Sequence, residues 1–153
     1  VRSRGLGDVY KRQATDFENG SYVLVSGILD GEDTPRKILT QIERIDKIGK
    51  TIKLVNGDFF KEIKSVDPIK ITKENLTKEC GFSLSKHPGF YENGKVIVAT
   101  YFDKLTQQDL FFLIEHTPSE VNYCNIPDIY KIHVEYVHQL QKIDGCAKEI
   151  KFQ

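Results

Sequence analysis

Apolar and polar residues alternate in short runs along most of the chain, and helical spacing is confined to a few stretches. Tyr22-Val23-Leu24-Val25 follows the turn signal Asn19-Gly20 and predicts a first strand. Asp30 to Pro35 reads as a loop. Ile38, Ile42 and Ile45 fit a helix by their i, i+4, i+7 spacing. They also fit a strand, with Ile38, Thr40, Ile42 and Arg44 on one face and Leu39, Gln41, Glu43 and Ile45 on the other. The strand is preferred, because Lys47 to Lys50 then closes a hairpin into Thr51 to Val55. Asn56-Gly57-Asp58 is the strongest hairpin signal, since Asn-Gly suits the positive φ angles of a type I′ turn. The returning strand runs from Phe59 to Val66, and Pro68 limits it. These four or five short strands predict a small SH3-like β-barrel or meander.

Residues 72–82 change period. Thr72 can cap a short helix, Glu74 suits its N-terminal dipole, and Gly81 stops it. Leu76 and Cys80 form its buried stripe, with Phe82 just beyond. A second antiparallel β region follows. Phe90-Tyr91 and Val96 to Phe102 flank a turn at Glu92 to Lys95, and Leu110 to Glu115 and Ile129 to Val134 are further strands. Thr117 to Asp128 is loop. Tyr136 to Ile143 is a terminal helix, with Tyr136, Leu140 and Ile143 on one face, near Val96, Val98 and Phe112, and His138 facing solvent. The fold class expected is α+β. Residues 14–71 are a small barrel-like region, 72–82 a connecting helix and 83–153 a second β region with a C-terminal helix, with 14–153 forming one compact unit.

Composition changes one part of this picture. Arg2, Arg4 and Arg12 are three of only five arginines, and Met is absent from all 153 residues. Ser3 to Gln13 resembles a translated sequencing-library adapter ending in a transposase mosaic end. Residues 1–13 are therefore expected to be a non-native tail that packs against nothing, on a chain truncated at its start. Without them the chain carries 18 basic and 21 acidic residues. Residues 14–35 hold five acids and no base, whereas residues 36–78 are net +5. No run approaches the ~18 apolar residues of a membrane span. Three Cys is an odd number, which argues against a disulfide scaffold and for a reducing compartment.

Three strings together carry a resemblance. They are Asn19-Gly20-Ser21-Tyr22-Val23, Ile69 to Leu76 leading to Cys80-Gly81-Phe82, and Tyr136-Val137-His138-Gln139-Leu140-Gln141. Over residues 17–142 the chain resembles a family of small uncharacterised proteins from Bacteroidetes genomes, their phages and prophages. It departs from that family at Lys142 to Cys146, where either the final helix is shorter or the reading frame drifts at a contig edge. The resemblance implies a bacterial host cell and a phage setting, and no activity, cofactor or catalytic residue.

Candidate chemistry is sparse. His133 and His138 are five apart, which sets them ~140° apart on a helix, and no Cys-x-x-Cys pair exists, so no metal site is expected. Cys124, in a loop near Pro127, is the most accessible candidate nucleophile, whereas Cys80 reads as a buried small hydrophobe. Lys53, Phe59, Lys61 and Lys64 make a mixed basic and aromatic set around the Asn56-Gly57 turn, a candidate surface for nucleic acid or a protein partner. Arg, the usual source of bidentate base and phosphate contacts, is nearly missing there. The expectation is a non-catalytic accessory or interaction protein without a cofactor and with an unidentified protein partner. The alternatives are a weak nucleic-acid-binding small barrel and a Cys-dependent enzyme.

Overall fold

Tyr22 to Leu29 alternates buried and half-buried residues along its length, as a strand with one face on a core does. This strand belongs to a computed structural model that describes residues 17–46, 48, 51–147 and 149–152. The expected tail, residues 1–13, lies outside the described residues. The chain is mostly β and divides into two compact units, Val1–Ile69 and Lys70–Gln153.

The first unit is a four-stranded antiparallel sheet. Its strands are β1 (Tyr22–Leu29), β2 (Arg36–Asp46), β3 (Thr51–Leu54) and β4 (Phe60–Pro68), in the order β3-β2-β1-β4. Residues 38–45 thus form the strand that the hairpin argument favoured over a helix. β2 pairs with β3 from Ile42↔Leu54 to Asp46↔Thr51, as expected. Register shifts interrupt the ladder twice between β1 and β4 and once between β2 and β3. Such bulges bend a strand and increase its twist, and this sheet curls into a half-barrel. Val23, Val25, Ile42, Ile52, Phe60 and Val66 fill its core.

One expected hairpin is absent. Asn56-Gly57 does not join paired strands, because β3 and β4 are the two outer strands and β2 and β1 lie between them. A type I′ turn needs positive φ at two successive residues. Only Asn56 takes it here, at φ 61°, and Gly57 opens a 3-10 turn, Gly57–Phe59. The Phe59 N–H closes that turn onto the Asn56 carbonyl at 3.1 Å. β4 then returns to β1, with Val25 opposite Val66 and Leu29 opposite Phe60.

The second unit holds β5 (Ser83–Leu84), β6 (Phe90–Glu92), β7 (Ile97–Asp103), β8 (Gln108–Ile114) and β9 (Lys131–Val134), paired antiparallel in chain order. Two short helices belong to it, α1 (Lys73–Lys78) and α2 (Val137–Gln141). Thr72 caps α1 as the sequence indicates. Its hydroxyl accepts the Asn75 N–H at 3.0 Å, and the Asn75 side chain accepts the Thr72 N–H at 2.9 Å. Leu76, Cys80 and Phe82 are buried. Gly81 ends the helix at φ +78°, where a Cβ would stand 2.7 Å from Glu149 Cβ. No described helix is long and apolar enough to cross a membrane.

Two expectations for the terminal helix need correction. Val98 pairs with Leu113 while Ala99 pairs with Phe112, so Val98 and Phe112 lie on opposite faces and cannot share one buried neighbourhood. His138, expected in solvent, is fully buried beside Val137 and Leu140. The helix is only five residues long, and its covered surface is wider than a single i, i+4 stripe. His138 stacks on Tyr136, ring centroids 5.8 Å apart and planes 13° apart.

Candidate functional site

β2 has eleven residues and β3 has four, so β3 covers only the second half of β2. The chain leaves the sheet where β3 stops. Val55 makes the last contacts, its N–H donating to the Gln41 carbonyl at 2.9 Å and its carbonyl accepting the Thr40 hydroxyl at 2.8 Å. The chain then turns through Asn56 to Phe59 before β4 starts. A groove of about 270 Å³ opens at this place, lined by Leu29, Ile38, Leu39, Thr40, Val55, Asn56, Phe59 and Phe60.

The lining is mostly apolar, with Thr40 and Asn56 its two polar residues. Leu29 and Ile38 pack on the half-barrel core, and Phe60 belongs to it. Phe59 is 64% exposed, and Leu39 and Val55 also stand in solvent. Large apolar side chains that cluster at the mouth of a groove, instead of lying singly on a surface, mark interaction sites. The turn fixes Phe59 in place, since its carbonyl accepts the Asp30 N–H at 2.9 Å.

Of the four residues named from sequence, only Phe59 lines this groove. Lys53 lies on β3, at one edge of the sheet, and Lys61 and Lys64 lie on β4, at the other. Each lysine stands near an acid. Lys53 reaches Glu43 at 3.1 Å, Lys61 reaches Asp33 at 3.8 Å, and Lys64 reaches Glu62 at 3.8 Å. Leu39 and Val55 were missed. Leu39 is the one large aliphatic between Lys37 and Gln41 on the outer face of β2, which is the signal that could have found it.

Other chemistry is scattered. Among the described residues no group of three or more His, Cys, Asp or Glu is placed to hold a metal ion. His133 sits on β9 and His138 on α2. Cys124 is exposed in the loop, as its sequence position suggested, and Cys80 and Cys146 are buried. Burial pushes the Cys80 thiol up from its ordinary 9.0 to about 12 and the Cys146 thiol up to about 11, with Glu79 and Cys146 adding to the effect at Cys80. Partial burial and a 2.7 Å hydrogen bond to Glu92 push Tyr123 from 10.0 to about 12.

These three groups predict how stability depends on pH. Each holds its proton in the folded chain after the unfolded chain has lost it. Stability is therefore fully present below pH 9 and falls as pH rises from 9 through 12. Denaturation midpoints measured from pH 7.5 to 10.5 are expected to stay level and then decline above 9. The decline is shallower in Cys80→Ala, whose lost thiol no longer couples to pH. A midpoint that rises between pH 9 and 10.5 would contradict this assignment.

Compared with protein families, with curated proteins and with solved structures, the chain finds no match in any of the three.

Proposed function

We propose that this chain is a non-catalytic interaction protein whose first unit, an SH3-like small barrel left open on one side, docks an apolar segment of a partner protein. The single observation that carries this reading is the groove. Its exposed rim of Leu39, Val55 and Phe59 leads down to Leu29, Ile38 and Phe60 on the core. An apolar groove with a large aromatic at its lip suits an aliphatic or aromatic anchor from a partner. The bacterial cytoplasm and the phage or prophage setting rest on the resemblance of residues 17–142 alone.

The nucleic-acid alternative is disfavoured by charge placement. Lys53, Lys61 and Lys64 are spread over two sheet edges, each near a carboxylate that opposes phosphate. A Cys-dependent reaction would rest on the exposed Cys124 alone, because Cys80 and Cys146, whose thiols are pushed up to about 12 and about 11, are not thiolates at neutral pH.

The test is a selection of displayed nonapeptides on the full chain and on Phe59→Ser. Phe59 is 64% exposed, so its replacement is expected to leave stability within about 0.5 kcal/mol. Peptides enriched on the parent and lost on Phe59→Ser support the groove. A parent that retards single-stranded DNA with a steep salt dependence, and enriches no peptide, would favour the nucleic-acid alternative.

A further inference from the structure

We infer that the occupant of the groove is an extended strand of a partner protein, which adds to the outer edge of β2 at Lys37 and Leu39; this rests on the groove reading above. The evidence is the direction of the main-chain groups. The Ile42 N–H donates to the Ser21 carbonyl at 2.9 Å and its carbonyl accepts the Gly20 N–H at 2.7 Å, so Ile42 faces the β1 side. Its neighbour Gln41 accepts the Val55 N–H at 2.9 Å and faces the other way. In an antiparallel ladder the N–H and C=O of one residue point together, and successive residues alternate. Lys37 and Leu39 share the parity of Gln41. Their two N–H and two C=O groups therefore point away from β1. β3 pairs only with Ile42 to Asp46, so on the side away from β1 no strand pairs with Lys37 or Leu39 among the described residues.

This open edge borders the groove, since Ile38, Leu39 and Thr40 line it. Unpaired strand edges are templates for a further strand. A strand laid there continues the sheet where β3 ends, and its side chains alternate between two faces. One set points to the face of Ile38 and Thr40, whose partners across β1 are the buried Val25 and Val23. That set must be apolar. The other set lies beside Leu39 and Lys37. Arg36 is held by Glu32 at 3.0 Å, whereas Lys37 is exposed and has no acid within ion-pair distance among the described residues. An acid beside Lys37 completes a favourable cross-strand pair. A second copy of this chain would instead bring its own Arg36 and Lys37 to the edge, setting like charges together. The chemistry fits a partner segment that is apolar on one face and acidic on the other.

The experiment uses the same displayed nonapeptides with a Lys37→Pro chain. Proline removes one outward N–H that no β1 residue uses, and prolines are tolerated on sheet edges, so the fold is expected to survive. Expected is enrichment of peptides that alternate apolar and acidic residues on the parent, and binding weakened about tenfold on Lys37→Pro. A second measurement stands apart from the protein's own folding. N-methylation of alternate residues of an enriched peptide weakens binding in one parity and spares it in the other. If Lys37→Pro binds like the parent and both methylated forms bind equally, strand addition is overturned, while loss on Phe59→Ser keeps the groove reading. If Phe59→Ser also binds like the parent, or nothing is enriched, the groove reading itself fails. A parent that sediments as a dimer and a Lys37→Pro chain that sediments as a monomer would assign the edge to a second copy and overturn the proposal.

Discussion

Leu140→Ala is expected to cost on the order of 2–5 kcal/mol of folding stability, a large share of what a domain of this size holds. Leu140 is fully buried. α2 spans only Val137–Gln141, and a helix of five residues has no stability of its own in water. Its geometry is instead imposed by its surroundings. The Gln139 side chain accepts the N–H groups of Glu135 at 2.7 Å and Tyr136 at 2.9 Å, which starts the helix. Successive turns then carry the chain from Leu140 through Ile143 and Cys146 to Glu149, leaving Cys146 and Ile150 buried as well. Removing the Leu140 side chain leaves a cavity at the first of these turns, so the loss should reach the segment that follows. Urea denaturation read by far-UV circular dichroism measures the effect. A midpoint equal to the parent's would show that the site collapses without cost. Gln141→Ala, beside it but half-buried, is the control and is expected to cost far less.

Local patterns carried most of the fold, and the errors arose where a distant partner decided the outcome. The β2–β3 hairpin and the Thr72-capped helix depend on residues close in sequence, and both were legible. Asn56-Gly57 has the composition of a hairpin turn, yet β4 pairs with β1, about forty residues away in the ladder from Val23↔Pro68 to Leu29↔Phe60. Nothing local records that choice. His138 failed for a related reason. The helical period assigns it to a solvent face, but a five-residue helix has too few positions to keep a separate exposed side.

The candidate site divides in the same way. Phe59 was legible, because an aromatic beside a turn between strands is exposed or buried according to which of Phe59 and Phe60 faces the core, and Phe60 does. Val55 was not, and Leu39 was legible only as an aliphatic on the outer face of β2, because the meaning of both depends on where β3 stops against β2. The net charge of residues 36–78 also misled as a guide to a basic surface. A count over sequence does not show that Lys53 meets Glu43, or that Lys61 meets Asp33 from outside the counted segment.

Gly27→Ala is expected to destabilise the first unit by about 1–3 kcal/mol, and to disturb the groove with it. Gly27 lies on the buried face of β1, at one of the two places where the β1–β4 register shifts. Its φ is not in the left-handed region, so conformational freedom is not the reason for glycine. The reason is space. A Cβ at Gly27 would stand 2.5 Å from the Glu62 carbonyl oxygen and 2.9 Å from Phe60 Cδ1. The carbonyl is main chain on a paired strand and cannot swing away, and the Phe60 ring is both core and groove floor. Alanine lowers the entropy of the unfolded chain, which favours folding by ~0.4–1 kcal/mol, so the clash must exceed that gain for a net loss to appear. The backbone contact is the shorter of the two, and the cost is therefore expected to persist when Phe60→Leu thins the ring beside it. A cost that vanishes in the Phe60→Leu background would assign the clash to the ring. A Gly27→Ala chain as stable as the parent would mean that β1 and β4 can separate at the bulge, and that the half-barrel is softer beside its groove than its register implies.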